Sequence, residues 1–169
     1  MSGFLRCALY LLTLALLAHP VGQALPRRWF DGGRFPYACY KWEKQGKFYT
    51  RIGVDRWKTL VPDMSRILPD MVKKRVEPTA VTAAQAAVLV QETCVAEAVH
   101  TASSLLGLIC LWLWPGWGGA AVWLVWFLLG NLPFLLIQRY NRPRLMRLRD
   151  LLQRREQRKG NHEHPDTDL

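Results

Sequence analysis

Apolar residues occur in three long runs separated by basic stretches, rather than alternating with polar residues at the period of an amphipathic strand or helix. The first run, residues 4–25, is long enough to cross a hydrocarbon core of roughly 30 Å. The second, residues 101–114, has 14 residues and becomes longer if apolar residues from Val95 onward are added, and the third, residues 119–137, has 19. The pattern predicts an all-α integral membrane protein with about three transmembrane helices.

A cluster of helix breakers separates the second and third runs. Residues 115–119 read Pro-Gly-Trp-Gly-Gly, which leaves room only for a tight turn, so the two runs are predicted to form an antiparallel helical hairpin. Tryptophans crowd this turn, at positions 112, 114, 117 and 123. Because indole rings prefer the headgroup level, the turn is expected at one membrane interface, with Thr101 and Gln138 near the other.

Composition divides the chain into four segments. Residues 1–25 form an N-terminal transmembrane anchor, and residues 26–79 form an aromatic and basic segment of short helices lying in the membrane interface. Residues 80–159 contain a helix from about Ala80, the transmembrane hairpin and a basic tail; residues 160–169 are polar and expected to be disordered. A cleavable signal peptide covering residues 1–24 is the alternative for the first segment, since Arg6 and a small-residue ending also fit a signal.

The charge distribution predicts the orientation in the cell membrane. The chain carries 23 Lys and Arg against 13 Asp and Glu; 13 of the basic residues lie in residues 26–100, and nine more follow Ile137. By the positive-inside rule, the loop 26–100 and the C-terminus are expected in the cytoplasm and the N-terminus outside. A basic aromatic segment tethered to lipid meets anionic headgroups first, so no nucleic-acid partner is expected.

No pattern of metal ligands is present in the sequence. The four cysteines lack metal-type spacing and imply no disulfide framework, and His162 and His164 lie in the polar tail. No metal and no cofactor are therefore expected.

The residues best suited to chemistry are Thr93, Glu97 and His100, which share one helix face at spacings i, i+4 and i+7. An ionisable pair at the mouth of a membrane span indicates a functional site. In base catalysis the carboxylate would orient the imidazole, and the imidazole would deprotonate a hydroxyl nucleophile. The alternative is structural: Glu97 and His100 would cap the span in the headgroup region.

Helix lengths counted from Trp117 bring further polar residues to the same depth. His100 and Gln138 lie at comparable distances from the turn, so Glu97 and His100 are expected to face Gln138, Arg139 and Asn141 across the hairpin. Deeper in the third span, Pro133 cannot donate a hydrogen bond to the carbonyl of Leu129, so a bend that helps to form a cavity is expected there.

Five sequence stretches together resemble one enzyme family. They are Trp-Glu-Lys-Gln-Gly-Lys-Phe-Tyr at 42–49, Arg-Trp-Lys at 56–58, Glu92-Thr93 with Glu97 and His100, Asn131-x-Pro133, and Gln-Arg-Tyr-Asn-Arg-Pro-Arg-Leu at 138–145. In this order, across about residues 40–158, they resemble the glycosyl-4,4'-diaponeurosporenoate acyltransferase family. The resemblance implies a small membrane enzyme that moves a fatty acyl group onto a sugar hydroxyl of a glycosylated carotenoid or another glycolipid.

With this resemblance in place, roles can be assigned to the polar residues. His100 is the predicted general base, Glu97 its orienter, and Arg139 and Arg142 are predicted contacts to a donor phosphate or an oxyanion. Further predicted substrate contacts are Glu43, Lys47, Glu92, Thr93, Asn131, Gln138 and Asn141. The expected partners are membrane lipid, the glycolipid substrate and an acyl donor such as acyl-CoA or a phospholipid, with biosynthetic enzymes as candidate protein partners.

A second hypothesis is a non-catalytic membrane subunit that binds anionic lipid or a partner biosynthetic enzyme. It rests on the small size of the chain and on its basic aromatic loop.

Overall fold

A computed structural model describes residues 2–61 and 81–163 of the 169-residue chain. Within these ranges the secondary structure is entirely helical. Seven α-helices follow one another: α1 Gly3–Ala24, α2 Lys47–Arg51, α3 Val54–Trp57, α4 Ala83–Leu106, α5 Cys110–Leu113, α6 Trp117–Val125 and α7 Leu132–Glu163. Shorter helical turns connect them: 3-10 turns at Arg27–Trp29, Lys41–Gly46 and Gly107–Ile109, and a π-helical turn at Trp126–Asn131.

Three helical stretches are long and apolar enough to cross a membrane: Gly3–Ala24, Ala83–Leu113 and Trp117–Lys159. The prediction of an all-α membrane protein with about three spans is therefore confirmed. The second and third stretches are separated only by residues 114–116, and Gly116 adopts a positive φ of 90° there. Trp112 and Trp117 flank this turn and are 87% and 92% exposed, as expected of indoles at a headgroup level.

Helix α1 packs against the hairpin near its turn. Cys7 and Leu11 are buried with Cys110, and the phenol of Tyr10 donates a hydrogen bond of 2.9 Å to the carbonyl of Leu106. At the turn, a Cβ on Gly119 would lie 2.3 Å from the carbonyl oxygen of Cys110, so only glycine allows this approach. The three spans therefore form one bundle.

Helices α4 and α7 are antiparallel neighbours along most of their length. At one end the backbone N–H of Ala83 donates to Glu156 (3.1 Å), so a carboxylate of α7 caps the N-terminus of α4. At the other end the indole N–H groups of Trp126 and Trp123 donate to the carbonyls of Ser103 and Ser104. This pairing sets which residues of the two helices face each other.

The expected irregularity at Pro133 is a π-helical turn just before it. The N–H of Leu132 donates to the carbonyl of Phe127, five residues back, and Asn131 is the last residue of the turn. A π-helical turn accommodates one additional residue and is frequent at functional sites. In this chain it brings Asn131, which is 1% exposed, to the face of the helix that contacts α4.

The interfacial segment folds onto the end of the bundle opposite the hairpin turn. Tyr49 and Val54 are buried against Tyr140 of α7, and Arg144 donates to the hydroxyl of Thr50. The guanidinium of Arg147 donates a hydrogen bond of 2.9 Å to the carbonyl of Gln45. Gln45 is one of two non-glycine residues with positive φ among the described residues. The segment is thus held by hydrogen bonds from the basic part of α7.

Two segment boundaries differ in detail from those expected. Thr82 caps α4, which begins at Ala83, while the expected start at Ala80 lies outside the described residues, as do residues 62–79. Helix α7 passes through Pro143 and continues to Glu163, three residues beyond the expected start of a disordered tail at Gly160. The remaining residues of that tail, 164–169, including His164, lie outside the described residues.

Candidate active site

The polar residues expected to carry chemistry lie where α4, α7 and the interfacial segment meet. Glu97, on the inner face of α4, is 8% exposed and accepts hydrogen bonds from two arginines of α7. Its Oε1 lies 2.9 Å from Nε and 2.7 Å from Nη2 of Arg139, and its Oε2 lies 2.5 Å from Nη2 of Arg142. The carboxylate is therefore bound on both oxygens.

Arg142 is 2% exposed, and its guanidinium is surrounded by acceptors. Besides Glu97, it donates to the hydroxyl and the carbonyl of Thr93 (both 3.0 Å) and to the carbonyl of Tyr37 (2.7 Å). A guanidinium bonded in this way joins α4, α7 and the interfacial segment. The predicted contact between Arg142 and a donor phosphate does not fit this burial, and we assign Arg142 a structural role.

Arg139 connects the same carboxylate to the loop before the second 3-10 turn. It donates to the carbonyls of Pro36 (2.7 Å) and Ala38 (3.4 Å) and to Oε1 of Glu43 (3.2 Å), and it lies over the ring of Tyr40. The cavity beside this cluster, which Arg139 and Arg142 line, measures about 10 Å³. That is room for about one water molecule and too little for a phosphate group.

Glu43 is 1% exposed and is likewise fully bound. Its Oε2 accepts the backbone N–H of Tyr40 (2.6 Å), and its Oε1 accepts a short hydrogen bond from the phenol of Tyr49 as well as the contact from Arg139. Burial, and secondly the hydrogen bond to Glu43, raise the pKa of Tyr49 far above its usual value, so the phenol stays protonated and donates. Glu43 was predicted to contact the sugar; its geometry supports a role in holding the segment in place.

His100 lies about one turn from Glu97 on α4 and contacts Asn131 and Phe134. Its Nδ1 lies 3.1 Å from Oδ1 of Asn131, and its ring stacks on that of Phe134 with 4.7 Å between centroids and an angle of 5°. The amide of Asn131 donates its Nδ2–H to the carbonyl of Trp126, which directs Oδ1 toward the imidazole. In the neutral imidazole the proton therefore sits on Nδ1, and the basic lone pair is on Nε2.

The predicted pairing of Glu97 with His100 requires correction. Both carboxylate oxygens of Glu97 are engaged by arginines, whereas Asn131 is the side chain at Nδ1 of His100. Two guanidinium groups compete better for a buried carboxylate than a neutral imidazole does, since a buried charge is stable only when it is paired. Asn131, predicted as a substrate contact, occupies the position beside the imidazole that was predicted for Glu97.

The remaining predicted binding residues are distributed unevenly. Glu92 pairs with Arg27 (2.7 Å), and the hydroxyl of Thr93 donates to the carbonyl of Val90. Lys47 is exposed at the start of α2, and Asn141 is half-buried on α7.

Gln138 is 4% exposed, and its Oε1 has no hydrogen-bond partner among the described residues. Since α4 and α7 are antiparallel and pair Thr93 with Arg142 and His100 with Phe134, Gln138 lies level with Glu97.

Sequence reasoning missed three participants: Phe134, Tyr49 and the backbone carbonyls at 36–38. Tyr49 lies in the aromatic and basic stretch, which is equally typical of a lipid-facing surface, and it ends the family-like stretch at 42–49, but neither signal indicated its partner. No pattern of side chains signals the role of backbone carbonyls. For a metal, residues 2–61 and 81–163 offer no group of three or more His, Cys, Asp and Glu side chains that could hold an ion.

Comparison with known proteins gives one family. The sequence model of glycosyl-4,4'-diaponeurosporenoate acyltransferase matches residues 26–151. Proteins of that name from Staphylococcus aureus strains bovine RF122 / ET3-1, MRSA252 and USA300 are each 28% identical over 156 residues, which is 90% of this chain and 91% of theirs. No solved structure matches the chain.

We predict that Glu97→Gln destabilises the protein more than Glu92→Gln does. Loss of the Glu97 charge leaves two arginines without their carboxylate in a buried site. Breaking a buried ion pair in this way lowers the free energy of unfolding by about 3–5 kcal/mol. Glu92 has one arginine partner, and its side chain is 20% exposed, so the matched change should cost much less. Thermal unfolding of both purified variants in the same detergent measures the difference. Equal melting temperatures would contradict the central role of Glu97.

Proposed function

The chain belongs to the glycosyl-4,4'-diaponeurosporenoate acyltransferase family and is therefore an acyltransferase of the membrane, and we propose that it transfers a fatty acyl group to a sugar hydroxyl of a glycosylated carotenoid or another glycolipid. The observation that carries this proposal is the contact between Asn131 and His100 at the end of the membrane-spanning hairpin. When the imidazole is neutral, this contact places its basic nitrogen at Nε2, as an acyl transfer to a hydroxyl requires.

The proposed reaction is a direct transfer. Nε2 of His100 takes the proton of the sugar hydroxyl, and the oxygen forms a new ester bond to the acyl carbonyl carbon. The bond from that carbon to the leaving group breaks, and the imidazolium returns its proton to the departing thiolate or alkoxide. The donor is accordingly a thioester such as acyl-CoA or an ester such as a phospholipid. Asn131 supports this cycle by accepting the Nδ1–H throughout.

The charged cluster has a different role in this proposal. Glu97, Arg139 and Arg142 hold α4, α7 and the interfacial segment together beside the base, and they do not contact the donor phosphate. Gln138 stays a prediction as a substrate contact, because its Oε1 has no partner among the described residues but is as buried as the arginine cluster. Lys47, Asn141, Glu92 and Thr93 stay predictions.

The site is proposed to face the cytoplasm. The interfacial segment and the basic part of α7 contact each other, as between Arg147 and Gln45, and so lie on the same side of the membrane. That side carries most of the positive charge of the chain and is cytoplasmic by the positive-inside rule.

We predict that His100→Ala lowers acyl transfer about 10²–10⁴-fold, the usual contribution of a general base, while the protein still folds. Lipid mass spectrometry on cells expressing wild type or variant, with glycosylated carotenoid supplied, measures the product that is one acyl unit heavier than the acceptor. His162→Ala, near the C-terminal end of α7, is the control and should acylate as wild type does. Full activity of His100→Ala would exclude His100 as the base; acylation by none of the proteins would favour a non-catalytic membrane subunit.

We predict that Asn131→Leu lowers kcat by about tenfold with little change in KM. Leucine has nearly the shape of asparagine but cannot accept the Nδ1–H, and the loss of about 1.4 kcal/mol of hydrogen bonding in the transition state corresponds to a factor of about ten. Asn131→Asp, which keeps an acceptor oxygen, should recover part of the turnover. A change confined to KM, or no recovery with Asp, would mean that Asn131 does not position the imidazole.

We predict that a membrane-impermeant maleimide labels Cys39 in permeabilised cells and not in intact cells. Cys39 is exposed, whereas Cys7, Cys94 and Cys110 are buried, so the wild-type chain is its own single-site reporter. Burial, and secondly a hydrogen bond with Glu43, raise the pKa of the Cys39 thiol, so labelling should accelerate as the pH rises toward 9. Cys39→Ser should abolish the signal, and labelling in intact cells would reverse the proposed orientation.

A further inference from the structure

An apolar cavity of about 390 Å³ lies beside the proposed base. Its size falls within the range of roughly 300–1,000 Å³ that is usual for ligand sites. One wall is the face of α7 and the preceding π-helical turn that carries Leu129, Leu132 and Leu136; the other is formed by Trp57, Leu60 and Val61 of the interfacial segment. All of its lining side chains are apolar, so the cavity suits a hydrocarbon and not a sugar or a phosphate.

Phe134 belongs to both this cavity and the imidazole site. Phe134 is one of the residues that line the cavity, and its ring stacks on His100 with 4.7 Å between the two centroids. A ligand in the cavity therefore lies next to a residue that contacts the proposed base.

From these contacts we propose that the cavity binds the fatty acyl chain of the donor, with its carbonyl end toward Phe134 and His100. This inference rests on the acyltransferase function proposed above and adds the location of the donor chain. A second hydrocarbon in the reaction, the carotenoid part of the acceptor, is a long and rigid polyene. The cavity extends from Leu129 to Leu136, roughly 10 Å of helix, and suits a flexible chain that can fold into it better.

The exposure of the cavity residues supports entry from the bilayer. Leu60 and Leu129 are 82% and 72% exposed at its edge, and Leu129 belongs to a helical stretch that is long and apolar enough to cross a membrane. An acyl chain already dissolved in the membrane gains little from the hydrophobic effect on entering an apolar cavity, since lipid tails are as apolar as leucine. Selection among chains must therefore come from the shape of the cavity, so its lining residues should determine chain length.

The test uses the full-length protein in lipid nanodiscs with an equal mixture of acyl-CoA donors of 8 to 18 carbons. We expect Leu132→Trp, which fills the cavity, to lower the ratio of 16-carbon to 8-carbon product by about tenfold or more. A shaped apolar pocket discriminates about tenfold or more for each methylene group that it admits or excludes. Leu129→Trp, at the exposed edge, should shift the ratio in the same direction without risk to the fold. Leu124→Trp, on the half-exposed face of α6, is the matched control and should leave the ratio unchanged.

A second measurement does not depend on turnover. Palmitoyl-CoA with a photoreactive diazirine on its acyl chain should label peptides containing residues 57–61 and 129–136, and Leu132→Trp but not Leu124→Trp should reduce that labelling. An unchanged product ratio together with unchanged labelling would overturn the cavity assignment. A loss that is equal for all donor lengths, with a raised KM for the acceptor, would assign the cavity to the carotenoid instead. Specific labelling without any acylated product from wild type would refute the proposed function and leave the acyl site standing.

Discussion

The arrangement depends on the burial of one carboxylate, that of Glu97, between the guanidinium groups of Arg139 and Arg142. Taking three charges out of water costs several kcal/mol each, and the cost is offset only when the remaining donors also find acceptors. The carbonyls of Pro36, Tyr37 and Ala38 accept those donors. Any slip of α4 along α7, or of the segment over both, would leave a buried charge unpaired. The cluster thus specifies one register for three parts of the chain.

Because both carboxylate oxygens of Glu97 bind arginines, the ion-pair cluster and the proposed base use different residues of α4. The imidazole of His100 has a neutral amide, Asn131, at Nδ1 and a phenyl ring against its face. In the proposed mechanism, this neutral partner fixes the tautomer of the imidazole without placing a second negative charge near the acyl carbonyl. A charged cluster at the membrane edge with the proposed base slightly deeper is compatible with a hydrophobic substrate that arrives from the bilayer.

The sequence was sufficient for features that depend on local chemistry. Apolar length, the breakers around Gly116 and the tryptophans beside them predicted the spans and the hairpin, and counting residues from Trp117 predicted that Glu97 lies opposite Arg139. Which groups pair could not be predicted in the same way. The partners of Arg139 and Arg142 include backbone carbonyls of an irregular loop, and no periodicity indicates where such a loop lies. The burial of Glu43 likewise depends on the positive φ angles of Lys44 and Gln45, which are uncommon for non-glycine residues.

The π-helical turn at Trp126–Asn131 has a consequence for the descent of this protein. A π-helical turn holds one residue more than the same stretch of α-helix and leaves the flanking turns in register. Removing one residue from this turn would therefore leave Arg139 and Arg142 facing Glu97, whereas removing one residue from the α-helix between the turn and Arg139 would rotate both arginines by roughly 100°. Lineages that retain the polar cluster can accordingly differ in residue count within the turn but not in the helix that follows it.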